Sequence, residues 1–218
     1  MRAARSNALT PQRHALNILE FWFGSRPYTR EAVARRMRMW FGDASAPELQ
    51  PQTDEMLRLR FGALSSAAAG GEFDAWESSP RRRLALILLL AQFPRSIHRG
   101  EAQAYDQDRR ALALTVGGMQ LGADAALDPV ERIFFYLPLQ HAESRELQEE
   151  SVAAFRRLAA ESPAELNDLF TLTANAAVQH HDIIERFGRF PYRNAVLGRT
   201  STSEEVAWLA SASATFGE

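Results

Sequence analysis

LALILLLAQFPRSIHRG, residues Leu84 to Gly100, is the stretch that decides the fold. It is apolar at every position from Leu84 to Ala91, so a helix here has no polar face and must be enclosed by protein on all sides. Such a run is too short to cross a bilayer. It ends in Gln92, Phe93, Pro94 and Arg95, which delivers an amide and a guanidinium where helix carbonyls lose their partners and the chain is expected to turn. A polar pocket is therefore expected at that end.

On the N-terminal side, residues 1–9 read as a disordered leader, and Thr10-Pro11 as an N-cap with proline at the first helical position. A helix follows to Phe21-Trp22-Phe23-Gly24, whose glycine suits a left-handed C-cap. Thr29 caps a second helix that closes on Trp40-Phe41-Gly42, and Phe61-Gly62 offers a third such end within 53–69. Arg35, Arg36 and Arg38, like Arg81, Arg82 and Arg83, read as solvated faces.

On the C-terminal side, a helix is expected from Tyr105 to about Val116, with Leu112, Val116 and Met119 in helical phase and Gly117-Gly118 fraying or ending it. Asp128-Pro129-Val130-Glu131 is a capping box that opens the stripe Val130, Ile133, Phe134 and Leu137, which Pro138 interrupts. A helix over 144–160 follows. Ser162-Pro163-Ala164-Glu165 reads as a second capping box opening the longest helix, which ends at Phe187-Gly188. A last helix, 203–210, is expected to dock through Val206, Trp208 or Leu209. No segment carries the β-branched alternation of strands, so residues 10–218 are expected to form one all-α domain of helical hairpins, roughly nine helices.

Composition narrows the chemistry. The 218 residues are 46% hydrophobic with a net charge of -2, which gives no pull toward nucleic acid or an anionic membrane, and neither is an expected partner. All 25 basic residues are arginine, which excludes lysine-dependent catalysis, and without cysteine there is neither thiolate chemistry nor a disulfide. No signal-peptide core is present, so cytoplasmic residence is the default expectation.

The words FWFG at 21–24, LALILLLAQFPRSIHRG at 84–100, ERIFFYLPLQHAES at 131–144 and HHDIIERFGRFPYRNAVLGRTSTSEE at 180–205 resemble, in order and over nearly the whole chain, the bacterial family called domain of unknown function 924. The resemblance implies a tetratricopeptide-repeat-like, right-handed helical array and attaches no reaction. Two positions depart from the family's usual wording: Ala91 stands where an aspartate is usual and Tyr192 where a histidine is usual. The paired departures suggest that both positions face one cavity, with the tyrosine filling space the aspartate vacated.

The candidate site residues come from three regions. His180 falls on the inward seam of Leu166, Phe170, Thr173, Ala177 and Ile184, and His141 continues the α-helical phase of Ile133, Phe134 and Leu137 past Pro138. His141, His180 and Tyr192 are the catalytic candidates. Gln92, Arg95, Glu143, Arg189, Arg193 and Asn194 are the binding candidates, because converging guanidinium groups hold carboxylates or phosphates through paired donors. The alternative for each arginine is an internal pair with a carboxylate such as Glu101, Asp106, Glu143 or Glu185. For His180 it is a satisfied core histidine. A metal set could be assembled from His141, Glu143, His180, His181 and Asp182, but there is no HExxH spacing and adjacent helical histidines diverge, so no metal is expected and no cofactor is indicated. The chain thus reads as a polar arginine and histidine pocket for a small anionic molecule, with histidine acid-base catalysis as its enzymatic form. The other reading is an interaction scaffold that holds a peptide in a helical groove.

Overall fold

The computed structural model describes residues 11–43 and 45–211; the expected leader and the Thr10 cap lie outside them. The described residues are all-α: α1 (Pro11–Phe23), α2 (Arg30–Phe41), α3 (Gln50–Ala69), α4 (Pro80–Ile87), α5 (Phe93–Ile97), α6 (Asp108–Gln120), α7 (Pro129–Gln140), α8 (Arg145–Glu161), α9 (Asn167–Phe187) and α10 (Ser203–Ser211). A single π turn over Leu88–Gln92 joins α4 to α5, so they run as one helix, and the described chain has nine.

That continuous helix is the centre of the core. Leu84, Ala85, Leu86, Leu88 and Leu89 have no exposed surface, with α1, α3, α6 and α7 packed around them. The expected end at Pro94 is not there. Proline has no N–H to give the preceding turn, and the π turn accommodates it: Phe93 N bonds to Leu88 O, Ser65 Oγ donates to Leu89 O at 2.7 Å, and Arg95 Nη1 donates to Ala91 O at 2.9 Å. Side chains supply what the backbone cannot, and the helix continues to Ile97.

The two aromatic-glycine ends form as read. Gly24 takes φ +79°, and Thr29 Oγ1 accepts from Ala32 N at 3.3 Å. Both ends converge on Phe134 of α7, whose ring lies 5.5 Å from Trp22, 5.3 Å from Phe23 and 5.0 Å from Trp40. The Asp128 capping box is present. Its Glu131 does more than cap: fully buried, it accepts from Tyr28 OH at 2.8 Å, pairs with Arg26, and lies 3.2 Å from Arg81, tying the α1–α2 loop to the starts of α4 and α7. Burial, reinforced by the Glu131 charge, pushes the Tyr28 phenol well above its ordinary range.

Several local expectations give way to packing. Gly62 lies inside an unbroken α3, and α6 runs past Gly117-Gly118 because Gly118 makes room for a neighbour rather than ending a helix: a Cβ there would lie 2.6 Å from Phe135 Cζ and 2.9 Å from Arg83 Cδ. The buried face of α6 is Ala111, Leu114, Thr115 and Gly118, with Leu112, Val116 and Met119 partly buried against the core beside it. Pro138 sits inside α7 without ending it. The Ser162 box does not form; its hydroxyl donates to Ala159 O, a short 3-10 turn intervenes, and α9 opens at Asn167. Arg83 is buried, not solvated. In α10, Trp208 packs on Phe187 at 5.4 Å while Val206 is exposed.

Candidate functional site

The end of α7 presents His141. Four carbonyls at a helix C-terminus ordinarily lack partners, and here they are collected from two directions. Gln148 Nε2, fully buried on α8, lies 2.7 Å from Gln140 O and 2.8 Å from Ala142 O, with Leu139 O more distant. Arg193 Nη1 donates to His141 O at 3.0 Å. The turn bearing His141 is thus clamped by α8 and by the segment after α9.

Above this turn two buried arginines flank one tyrosine. Arg95 makes a bidentate pair with Asp108, Nη1 to Oδ1 at 2.8 Å and Nη2 to Oδ2 at 2.9 Å, and Arg193 Nη1 lies 3.9 Å from Asp108 Oδ2. Their guanidinium carbons sit 5.4 and 4.9 Å from the centre of the Tyr105 ring, a cation-π arrangement that holds both planes in place. Arg193 is also 4.5 Å from the Phe190 ring. Beside them opens a cavity of about 460 Å³ whose wall includes Tyr105, Asp106, Asp108, Arg109, Leu112, Pro138, His141, Glu143 and Arg193. Leu112, partly buried against the core, is also part of this wall.

His180 lies behind His141, with ring centres 6.4 Å apart, and is 2% exposed. Its Nδ1 is 2.8 Å from Ala176 O; a carbonyl can only accept, so Nδ1 carries the proton. Gln140 Nε2, 3.2 Å from the same nitrogen, would then face a donor with a donor, whereas the buried Gln140 Oε1 has no partner. The Gln140 amide is therefore assigned in the flipped orientation, with its oxygen toward Nδ1–H. His180 is a satisfied core histidine on one side and lies behind His141 on the other.

The segment after α9 is strapped down by two carboxylates. Glu143 accepts Phe190 N at 2.8 Å and both Arg199 Nη atoms at 2.7 and 3.0 Å. Glu205 accepts Arg189 Nε at 2.6 Å, Arg189 Nη2 at 2.8 Å, Thr202 N at 2.7 Å and Asn194 Nδ2 at 3.3 Å. The Arg189 bonds hold the Glu205 carboxyl down to about 2 from an ordinary 4.5. A carboxylate depressed on folding adds stability above its unfolded pKa and loses it as pH falls toward its folded one. Acid melting curves should thus decline between pH 4.5 and 2 by more in the wild type than in Glu205→Gln; parallel curves would contradict this role.

Of the nine residues proposed from sequence, His141, Glu143 and Arg193 line the cavity, and Arg95 reaches it through Asp108. His180 stands one layer behind, and Tyr192 stacks on Phe190 at 5.4 Å. Arg189 and Asn194 belong to the Glu205 strap, and Gln92 holds a buried Oε1 without a partner. Asp108, Tyr105, Gln148 and Arg199 join the site with no signal in local sequence. The partner of Arg95 is Asp108 rather than Glu101, Asp106, Glu143 or Glu185, and nothing in local spacing marks it.

Comparison with known proteins adds three findings. The model of a family described as "Bacterial protein of unknown function (DUF924)" matches residues 18–213. A solved structure of a protein of unknown function from Agrobacterium tumefaciens is similar at 32% identity, covering 93% of this chain and 100% of that one with a TM-score of 0.76. No curated protein matches the chain. Among the described residues, no helix is long and apolar enough to cross a membrane.

Proposed function

We propose a function for this chain, which belongs to the DUF924 family, described as bacterial proteins of unknown function: it binds a small anionic molecule in the cavity between α6 and the end of α7. One observation carries the reading. Two of the carboxylates on the cavity wall are each clamped by an arginine from outside it, Asp108 by Arg95 and Glu143 by Arg199, so their acceptors are already engaged. On and just behind the wall, four arginines (Arg95, Arg109, Arg193, Arg199) face three carboxylates (Asp106, Asp108, Glu143). The surplus is positive, as recognition of a carboxylate or phosphate requires.

Arg193 sets the floor of the site and Arg109 is its adjustable donor; exposed and without an ion pair among the described residues, Arg109 is placed to close on a ligand. His141 is the imidazole on the wall. If the site is catalytic, His141 is the group that moves a proton, because its turn is fixed by Gln148 and Arg193, and His180 acts through it as a positioning residue. Tyr192 packs on Phe190 beside Arg193.

Calorimetric titration with dicarboxylates and phosphate monoesters tests this reading. Arg109→Gln should weaken a binding anion about tenfold, the worth of one charge-assisted hydrogen bond, with the unliganded melting temperature unchanged. Undiminished affinity in Arg109→Gln, or binding by neutral peptides but by no anion, would instead favour a groove that holds peptides.

A further inference from the structure

A second cavity, of about 450 Å³, shares no lining residue with the first. It lies between the start of α4 and the turn after α6, and Arg83 is on its wall. Arg83 is 5% exposed. Its Nη1 donates to Leu114 O at 2.9 Å, its Nε has no partner, and no described carboxylate pairs with it. Burying a guanidinium without a counter-charge is among the costliest arrangements a fold can hold. The chain nonetheless makes room for it, since Arg83 Cδ occupies the space a side chain on Gly118 would need.

The same cavity adjoins an uncapped helix end. The Ser79 side chain makes no capping bond, and Pro80 occupies the first turn, leaving the positive end of an eight-residue helix continued by the π turn. Arg81 is paired with Glu131, whereas Arg82 and Arg83 add charge of the sign that end disfavours, which an anion would relieve. At the α6 end opposite, Met119 O and Gly118 O are engaged by Gly122 N and Ala123 N. Glu77 is the negative group on the wall, and Pro80 with the 77%-exposed Leu121 forms an apolar side.

We infer that this cavity is a separate binding site for a small organic anion, whose carboxylate or phosphate meets Arg83 and the α4 N-terminus and whose apolar body lies on Pro80 and Leu121. The inference is independent of the first cavity, and its probes report on different residues. Nitrogen-15 NMR of the full chain should show saturable shifts of Arg83 Nε–H and of the Arg81 and Arg82 amides on adding phenyl phosphate; a parallel titration with benzoate distinguishes phosphate from carboxylate recognition. Glu77→Gln should tighten binding about threefold by removing a nearby like charge. Leu121→Asn should weaken phenyl phosphate while leaving inorganic phosphate unchanged. Arg83→Gln should lose about tenfold or more, and if that variant does not fold, the Glu77 and Leu121 variants decide. Absence of saturable shifts at millimolar anion, unchanged affinity in Glu77→Gln, or shifts confined to Arg109 and His141 would overturn the site.

Discussion

Leu88→Asp is expected to give no folded protein. Leu88 is fully buried at the first position of the π turn, inside a helix whose residues from Leu84 to Leu90 are at most 1% exposed. An aspartate there would be cut off from solvent, and an unpaired buried charge costs several kcal/mol, against a total stability on the order of 5–15 kcal/mol for a domain. The π turn aggravates the loss, because its carbonyls depend on Ser65 and Arg95 being held in register by this helix. Far-UV circular dichroism and size exclusion check the outcome. Leu88→Met is the control; a near-isosteric swap should cost less than about 1.5 kcal/mol and leave melting cooperative. A Leu88→Asp protein that is soluble, helical and cooperatively melting would contradict the central placement of this helix.

Phe134→Ala should cost about 3–5 kcal/mol, the range for deleting a large aromatic side chain from a packed core. Phe134 is 1% exposed and is where the two aromatic-glycine helix ends meet, so truncation leaves Trp22, Phe23 and Trp40 without the ring they share. The ring pairs add a smaller geometric contribution beyond area burial. Urea denaturation should show a lower midpoint at an unchanged slope, because the same surface is exposed on unfolding. A loss under about 1 kcal/mol would mean that α1, α2 and α7 do not pack through this residue.

What could be read from the chain and what could not divide along a physical line. Thr29, Asp128 with Glu131, Gly24 and Gly188 mark helix ends through bonds made within a few residues, and all four act where the sequence places them. The burial of His180 follows equally from one helix's spacing. Pro94 read as a break because local sequence omits the Ser65 hydroxyl that serves the π turn, Pro138 is carried inside α7 without ending it, and Gly118 read as an end because its purpose lies on another helix. In the candidate site, His141, Glu143 and Arg193 carried visible signals: a proline beside a histidine, and an arginine in an aromatic loop. Asp108 and Gln148 carried none. Asp108 opens α6 like any first-turn acid, and Gln148 is one glutamine on a polar-faced helix; their roles exist only once α5, α7 and the segment after α9 are assembled around them.

The most direct test of the anion site is the imidazole resonance of His141, followed by proton-nitrogen correlation while a binding anion from the calorimetric series is added. His141 lines the cavity, and His180 lies behind it with its ring centre 6.4 Å away. The expected result is a saturable shift of the His141 ring nitrogens with the calorimetric affinity, a smaller one at His180, and a reduction of both in Arg109→Gln at the same subsaturating anion concentration. Anion binding that leaves the His141 ring unmoved, or that moves it equally in Arg109→Gln, would contradict the assignment of this cavity.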